Sequence, residues 1–160
     1  MKRLLILLLV GSFAYAEQKF VCVDPNRIIA ESKVVAQKQE ELKKKAQDYQ
    51  SQLQEVNKRL EELKNQIQSK GISQQAREQK IKEYQQTEAK GIELQQKAQA
   101  ELMELKSRLE SELLAQVRNI GSQIAKEKGY TGILDCGAFL YIQPELDITK
   151  EVINRLDQSR

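Results

Sequence analysis

The sequence predicts a mostly α fold: a long antiparallel coiled-coil helical hairpin rooted in a small β-strand body. Three observations predict it. Apolar residues recur every seven positions at Ile28, Val35, Leu42, Tyr49, Val56 and Leu63, and a second set follows four residues behind the last four, at Ala46, Leu53, Leu60 and Ile67. This alternation of threes and fours is a heptad seam. The pattern stops once, at Ser69-Lys70-Gly71-Ile72-Ser73, and resumes at Ile81, Tyr84, Leu94, Ala98, Leu102, Leu105, Leu109, Leu113, Val117, Ile120 and Ile124. Short β-forming stretches flank the hairpin on either side, at Phe20–Val23 and after Gly129.

The first sixteen residues read as a targeting segment. Lys2-Arg3 is a short positive region, Leu4 to Val10 an unbroken apolar run, and Ala14-Tyr15-Ala16 a small-x-small cleavage pattern. The apolar run is too short to span a bilayer. The mature chain is expected to begin at Glu17 and to reside in a periplasm. It divides into a body, residues 17–24 and 129–160, and an arm, residues 25–128, with its turn near 69–73.

Phe20-Val21-Cys22-Val23 is a strand that Asp24-Pro25 ends. Asp24 as cap and Pro25 in the first turn make a good helix start. The first long helix then runs to the turn, where Gly71 suits a helix stop with positive φ and Ser73 caps the next helix. Folding about this turn places Leu42 opposite Leu102 and Val35 opposite Leu109, with facing positions summing to about 142. Leu53 and Val56 then meet Thr87, Glu88 and Gly91, a stretch without apolar seam residues, so Gly91 is expected to be a compliant hinge in the arm. At 1.5 Å per residue the hairpin reaches roughly 65–80 Å.

The second helix ends at Lys126-Glu127-Lys128-Gly129, with cations in the last turn and glycine as the stop. Tyr130–Asp135 and Ala138–Ile142 are expected to form a β-hairpin about Cys136-Gly137. Pro144 ends it, and Asp147 can cap a final helix whose apolar face is Ile148, Val152, Ile153 and Leu156. A body this small rarely sustains its own core. Val21, Val23, Ile133, Leu134, Phe139 and Tyr141 are therefore the expected interface with further copies of the chain. Cys22 and Cys136 lie in an exported body, where a disulfide and two buried thiols are both open readings. The bond requires Cα atoms within about 7 Å.

Composition narrows the function. There is no histidine and no tryptophan, and without Lys2 and Arg3 the chain holds 24 basic against 23 acidic residues. The commonest general base and metal ligand is absent, no Gly-rich phosphate loop occurs, and a near-neutral chain does not suit nucleic acid. A long hairpin offers no enclosed pocket. No enzyme, cofactor or metal is expected. Between Lys58 and Lys90 eight basic residues face five acidic ones. The tip cations Lys64, Lys70 and Arg77 are thus candidate capture residues, and an anionic membrane surface is a further partner this charge would allow. A solvated helix face explains the same charge equally well.

Three stretches together carry a family resemblance. Phe20-Val21-Cys22-Val23-Asp24 runs into Arg27-Ile28 and Glu31-Ser32. Ile124-Ala125-Lys126-Glu127-Lys128-Gly129-Tyr130 leads through Ile133-Leu134-Asp135 to Leu140-Tyr141. Asp147-Ile148-Thr149 precedes Val152-Ile153 and Leu156. With the targeting segment and the Gln/Lys-rich coil, the chain resembles the Skp/OmpH family of periplasmic chaperones. The resemblance implies a homotrimer whose helical arms enclose a cavity, and an ATP-independent holdase that keeps unfolded outer-membrane proteins soluble there. The two cysteines and the near-neutral arms depart from that pattern. The alternative is a structural periplasmic coiled-coil adaptor or envelope spacer. An adaptor hairpin needs strand-rich sequence on both sides, and only residues 17–24 precede Pro25.

Overall fold

The computed structural model describes residues 18–159. The targeting segment expected at 1–16 lies outside the described residues. The elements run in the order β1 (Phe20–Val23), α1 (Pro25–Glu31), α2 (Lys33–Gln68), α3 (Gln74–Lys128), β2 (Gly132–Asp135) and α4 (Thr149–Gln158). Single 3₁₀ turns form at Cys136–Ala138 and Pro144–Leu146. The architecture is the expected one: two long helices folded into a hairpin on a small body.

The start of the arm is broken where the sequence predicts one continuous helix. Asp24 caps α1 by accepting from the Asn26 and Arg27 N–H groups, with Pro25 at the first position. The chain then leaves helical geometry at Ser32 (φ −78°, ψ 131°), and Ser32 Oγ accepts from Val35 N–H to start α2. Apolar periodicity runs unbroken through this point, so only the capping chemistry marks the corner.

At the far end, Ser73 caps α3 by accepting from Ala76 N–H. Gly71 does not take the positive φ expected of it. The positive-φ glycine among the described residues is Gly129, at φ 69° and ψ 31°. There the Gly129 and Tyr130 N–H groups both donate to Ala125 O, the latter at 2.9 Å, and Lys126 and Lys128 occupy the last turn of α3. This left-handed cap turns the returning chain back on itself.

That reversal decides the sheet. β2 pairs with β1 in parallel, with Phe20 against Gly132 and Val23 against Asp135. The expected β-hairpin is therefore wrong: the whole arm is the crossover between two parallel strands, and residues 139–142 form no strand. On its other edge β1 meets Asp147 in a one-residue bridge, and Ile148 N–H donates to Cys22 O at 2.9 Å. β1 is thus the middle of the body.

The core gathers around it. Val21 and Val23 of β1 pack with Ile28 of α1, Val35 of α2, Ile120 and Ile124 of α3, and Ile148, Val152, Ile153 and Leu156 at α4. The body overcomes its small size by recruiting the roots of both arm helices. Each such side chain contributes roughly 1.5–3 kcal/mol when fully buried.

The arm has a thinner interior. Its buried seam residues are Tyr49 and Leu63 on α2 and Ala98 and Leu109 on α3. The register differs from the symmetric expectation. Position numbers that would sum to 142 instead sum to 147 where Gly91 meets Val56 and to 150 where Tyr49 meets Glu101 and Lys38 meets Glu112.

Candidate functional site

The body and the arm offer different surfaces, and each is built from residues far apart in sequence. In the body, Asp147 sits at the centre of a polar network. Its carboxylate accepts from Thr149 N–H at 2.9 Å, from the Thr149 hydroxyl, and from Arg27 Nη1 at 3.2 Å. Thr149 Oγ1 in turn accepts from Asp24 N–H at 2.9 Å. The Asp-Ile-Thr triplet therefore ties the start of α4 to the start of α1. Burial opposes ionisation of Asp147, but the Thr149 bonds and the Arg27 charge outweigh it and hold its pKa below the usual value.

A second clamp joins the far end of α4 to the start of α2. Ser32, 2% exposed, donates to Asp157 Oδ1 at 2.7 Å, while Lys33 and Val34 N–H donate to the same carboxylate at 3.2 and 3.1 Å. Asp157 thus satisfies free N–H groups at the start of α2, the shorter of the two arm helices. Partial burial works against its charge, yet the Ser32, Val34 and Lys33 bonds leave its pKa lowered. Sequence reasoning missed this pair, since a cap supplied from 125 residues away leaves no local signature. Arg155 adds a surface tie between α4 and α3 through Glu127 at 2.6 Å.

Cys22 and Cys136 lie with their Cα atoms 4.8 Å apart and their sulfurs joined, across a sequence separation of 114. Asp147 is near both sulfurs, but sulfurs bonded to each other are not free to hold a metal. The link closes the strand pair beside the bridge at Asp147 and brackets the whole arm between its two ends.

The six expected interface residues separate into two groups. Val21 and Val23 lie inside the protomer's own core, at 0% and 8% exposure, so they are not a face for another copy. Alternation along a short strand cannot distinguish burial by α4 from burial by a partner. Ile133 is half-buried against the same core, and Phe139 is half-buried. Leu134 and Tyr141 are exposed, and with them Leu140, fully exposed at 110%. These three follow one another along β2, whose outer edge is unpaired among the described residues, and the extended segment after it. Leu140 was not singled out from the sequence, because the expected hairpin pairing concealed it.

The tip residues also divide. Lys64 and Lys70 are exposed. Arg77 is instead partly buried and donates through Nη2 to Ser69 O at 3.3 Å, closing the end of α2. Nearby, Arg59 pairs with Glu83 and Glu62, and Lys80 with Glu83, so much of the tip charge is neutralised locally. The expected hinge at Gly91 has a different character. A methyl group there would lie 3.0 Å from Val56 Cγ1. The missing side chain is what lets the two helices approach at Val56, beside a groove lined by Leu53, Leu60 and Glu88. No described helix is long and apolar enough to cross a membrane.

A two-helix arm on a small mixed body held by capping carboxylates defines a helical-hairpin scaffold. The comparisons name its family. The sequence profile of the family described as "Outer membrane protein (OmpH-like)" matches residues 19–156, and the chain belongs to that family. It is 38% identical over 139 residues to an uncharacterized protein of Aquifex aeolicus (strain VF5), covering 87% of this chain and 86% of the relative. The fold is shared with a crystal structure from Caulobacter crescentus CB15, of a protein described as a "putative outer membrane chaperone (OmpH-like)". The two superpose with a TM-score of 0.79 at 21% identity, over 96% of this chain and 92% of the other.

Proposed function

We propose that this protein is a periplasmic, ATP-independent holdase chaperone that keeps unfolded outer-membrane proteins soluble between its helical arms. The observation that carries the reading is the arm itself, in the setting of the OmpH-like family. A 55-residue helix of about 80 Å, backed by a 36-residue one, stands out from a body that does not need it for its core beyond the roots. Such an arm encloses nothing within one chain. It presents many weak contact points, and several arms acting together turn weak contacts into useful affinity. A compartment without ATP suits release by simple dissociation.

The body supplies the oligomer contact in this reading. Leu134, Leu140 and Tyr141 form an apolar set beside the free edge of β2. Three copies joined there would point three arms in one direction. The Cys22–Cys136 bond, formed on export, would hold each root closed. The tip cations Lys64 and Lys70 would assist capture through association rate more than affinity, because exposed charge is screened by salt.

The test combines light scattering with an aggregation assay. The expected result is a trimer that keeps a urea-denatured porin soluble on dilution. A monomer, or an oligomer that leaves the porin to aggregate, overturns the reading in favour of a structural spacer.

A further inference from the structure

The two faces of β1 are covered by different parts of the chain. Val21 and Val23 point into the core formed with the arm roots and α4. Cys22 lies between them, so strand alternation turns its side chain to the opposite face. It is fully buried, yet no member of that core. The chain returning from β2 covers it. The Cys136 sulfur is bonded to it, and Asp147 meets it in the bridge along the sheet edge. Residues 136–146 thus form a flap over the second face of the sheet.

Little besides the disulfide fastens this flap. Among the described residues its hydrogen bonds stay local. Gly137 N–H donates to Asp135 Oδ1 at 2.8 Å, Phe139 N–H to Cys136 O at 3.2 Å, and Leu146 N–H to Gln143 O at 2.9 Å. None reaches β1 or an α-helix. At the far end Leu146 packs on the core, while Gly137, Ala138, Leu140 and Tyr141 are exposed. The two sulfurs also differ in access. Cys22 is sealed, whereas Cys136 is half-buried at the start of a surface turn. An incoming thiolate therefore reaches Cys136 Sγ, with the Cys22 sulfur as leaving group.

We propose that the Cys22–Cys136 pair is a thiol-exchange site that switches the contact surface between copies of this chain, closed by oxidation and opened by a dithiol. A thiolate of the dithiol attacks Cys136 Sγ. A mixed disulfide forms there as the Cys22–Cys136 bond breaks, and the Cys22 sulfur leaves with the electron pair and takes up a proton. The second thiolate of the dithiol then attacks its own partner sulfur and releases Cys136, which is protonated in turn. The protein gains two electrons and two protons, and the dithiol becomes a disulfide. The opened flap keeps only its local bonds and its Leu146 end. Leu140 and Tyr141 then lose their fixed place beside Leu134. The ties of Asp24 to Thr149 and of Ser32 to Asp157 do not pass through the sulfurs, so the body keeps its core. A chain still in a reducing compartment is thereby kept from assembling, and oxidation after export licenses it. This inference rests on the reading of Leu134, Leu140 and Tyr141 as the oligomer contact, and adds its control.

The experiment compares the chain from Glu17 onward at one concentration: oxidised, treated with dithiothreitol without denaturant, and reoxidised. Light scattering reads mass, circular dichroism reads helicity, and hydrogen exchange reads residues 137–146. Reduction is expected to take the oligomer to protomers with helicity unchanged, and reoxidation to restore the oligomer. Exchange in 137–146 should rise by about tenfold or more while α4 stays protected. A brief pulse of glutathione, quenched in acid, should leave its adduct on Cys136. An oligomer that keeps its mass when fully reduced overturns the switch. So does a bond that dithiothreitol opens only in denaturant, or helicity that falls together with mass, which makes the bond a general staple. An adduct on Cys22 overturns the direction of attack. An oxidised chain that is already a monomer is a different result: it sinks the oligomer contact itself, and the switch with it.

Discussion

The body and the arm are held by different kinds of interaction. The ties that close the body join residues more than a hundred positions apart: Asp24 with Thr149, Ser32 with Asp157, Cys22 with Cys136. The arm relies on side chains facing across two antiparallel helices and on surface ion pairs such as Lys38–Glu112 and Arg59–Glu83. Exposed pairs of that kind contribute little each. The body therefore behaves as one cooperative unit, while the arm is a row of local contacts that can loosen piece by piece. Under the proposed holdase role, a rigid root with a compliant extension would let the arm adjust to clients of different sizes.

The largest expected effect comes from breaking the body. Val23→Asp places an unpaired charge in a core closed by α4 and is expected to cost more than about 3 kcal/mol. Circular dichroism should show loss of the cooperative thermal transition. A variant that melts like wild type would mean that β1 is not the centre of the core. The arm counterpart is Leu63→Ala, which empties a fully buried seam position. It should cost about 2–4 kcal/mol locally. Hydrogen exchange should speed up around Leu63 and its partners while the body stays protected. Faster exchange throughout both regions would show that they are one unit after all.

Removing the covalent link is next. Cys22→Ser with Cys136→Ser reopens a loop of 114 residues, and disulfides typically stabilise by about 2–4 kcal/mol. The expected outcome is a lower melting temperature for the body with arm helicity retained. Mass spectrometry of protein taken from the cell envelope, without reductant, should find a mass two hydrogen atoms below the dithiol. Two free thiols would remove the bond from the account.

The capping carboxylates are sensitive to acid. Asp147 and Asp157 both have folded-state pKa values below their ordinary ones. Each therefore contributes stability that is fully present above the unfolded value near about 4 and is lost as pH falls through the folded value. Melting temperature should hold steady from pH 7 to about 5 and then fall. Asp157→Asn should lower stability by about 1 kcal/mol at pH 7, as loss of a cap does, and flatten the acid slope. An unchanged slope would show that the α4–α2 clamp does not form in solution.

Gly91→Ala is expected to have the smallest effect. Helix propensity favours alanine by about 1 kcal/mol, but the new methyl meets Val56 Cγ1 at 3.0 Å. The two effects should nearly cancel. Adding Val56→Ala relieves the contact, so a double-mutant cycle should show positive coupling between the two positions. Full stabilisation by Gly91→Ala alone would mean that the helices do not approach there.

The sequence by itself determined the arm. Heptad spacing, the Ser73 cap and the Gly129 stop are local signals, and a helix is written in residues three and four apart. It also determined the family, because the ordered stretches around Asp24, Gly129 and Asp147 survive as short motifs. What only the tertiary structure decided are the features that depend on residues meeting across the whole chain. Parallel pairing of β1 with β2 follows from the returning helix and the turn at Gly129, so no local turn signal announces it. The division of Val21 and Val23 from Leu134, Leu140 and Tyr141 depends on which face α4 covers. The corner at Ser32 is stabilised by Asp157, and the register at Gly91 by Val56. In each case a side chain's neighbours are set by how distant elements pack, and periodicity along one segment carries no information about that.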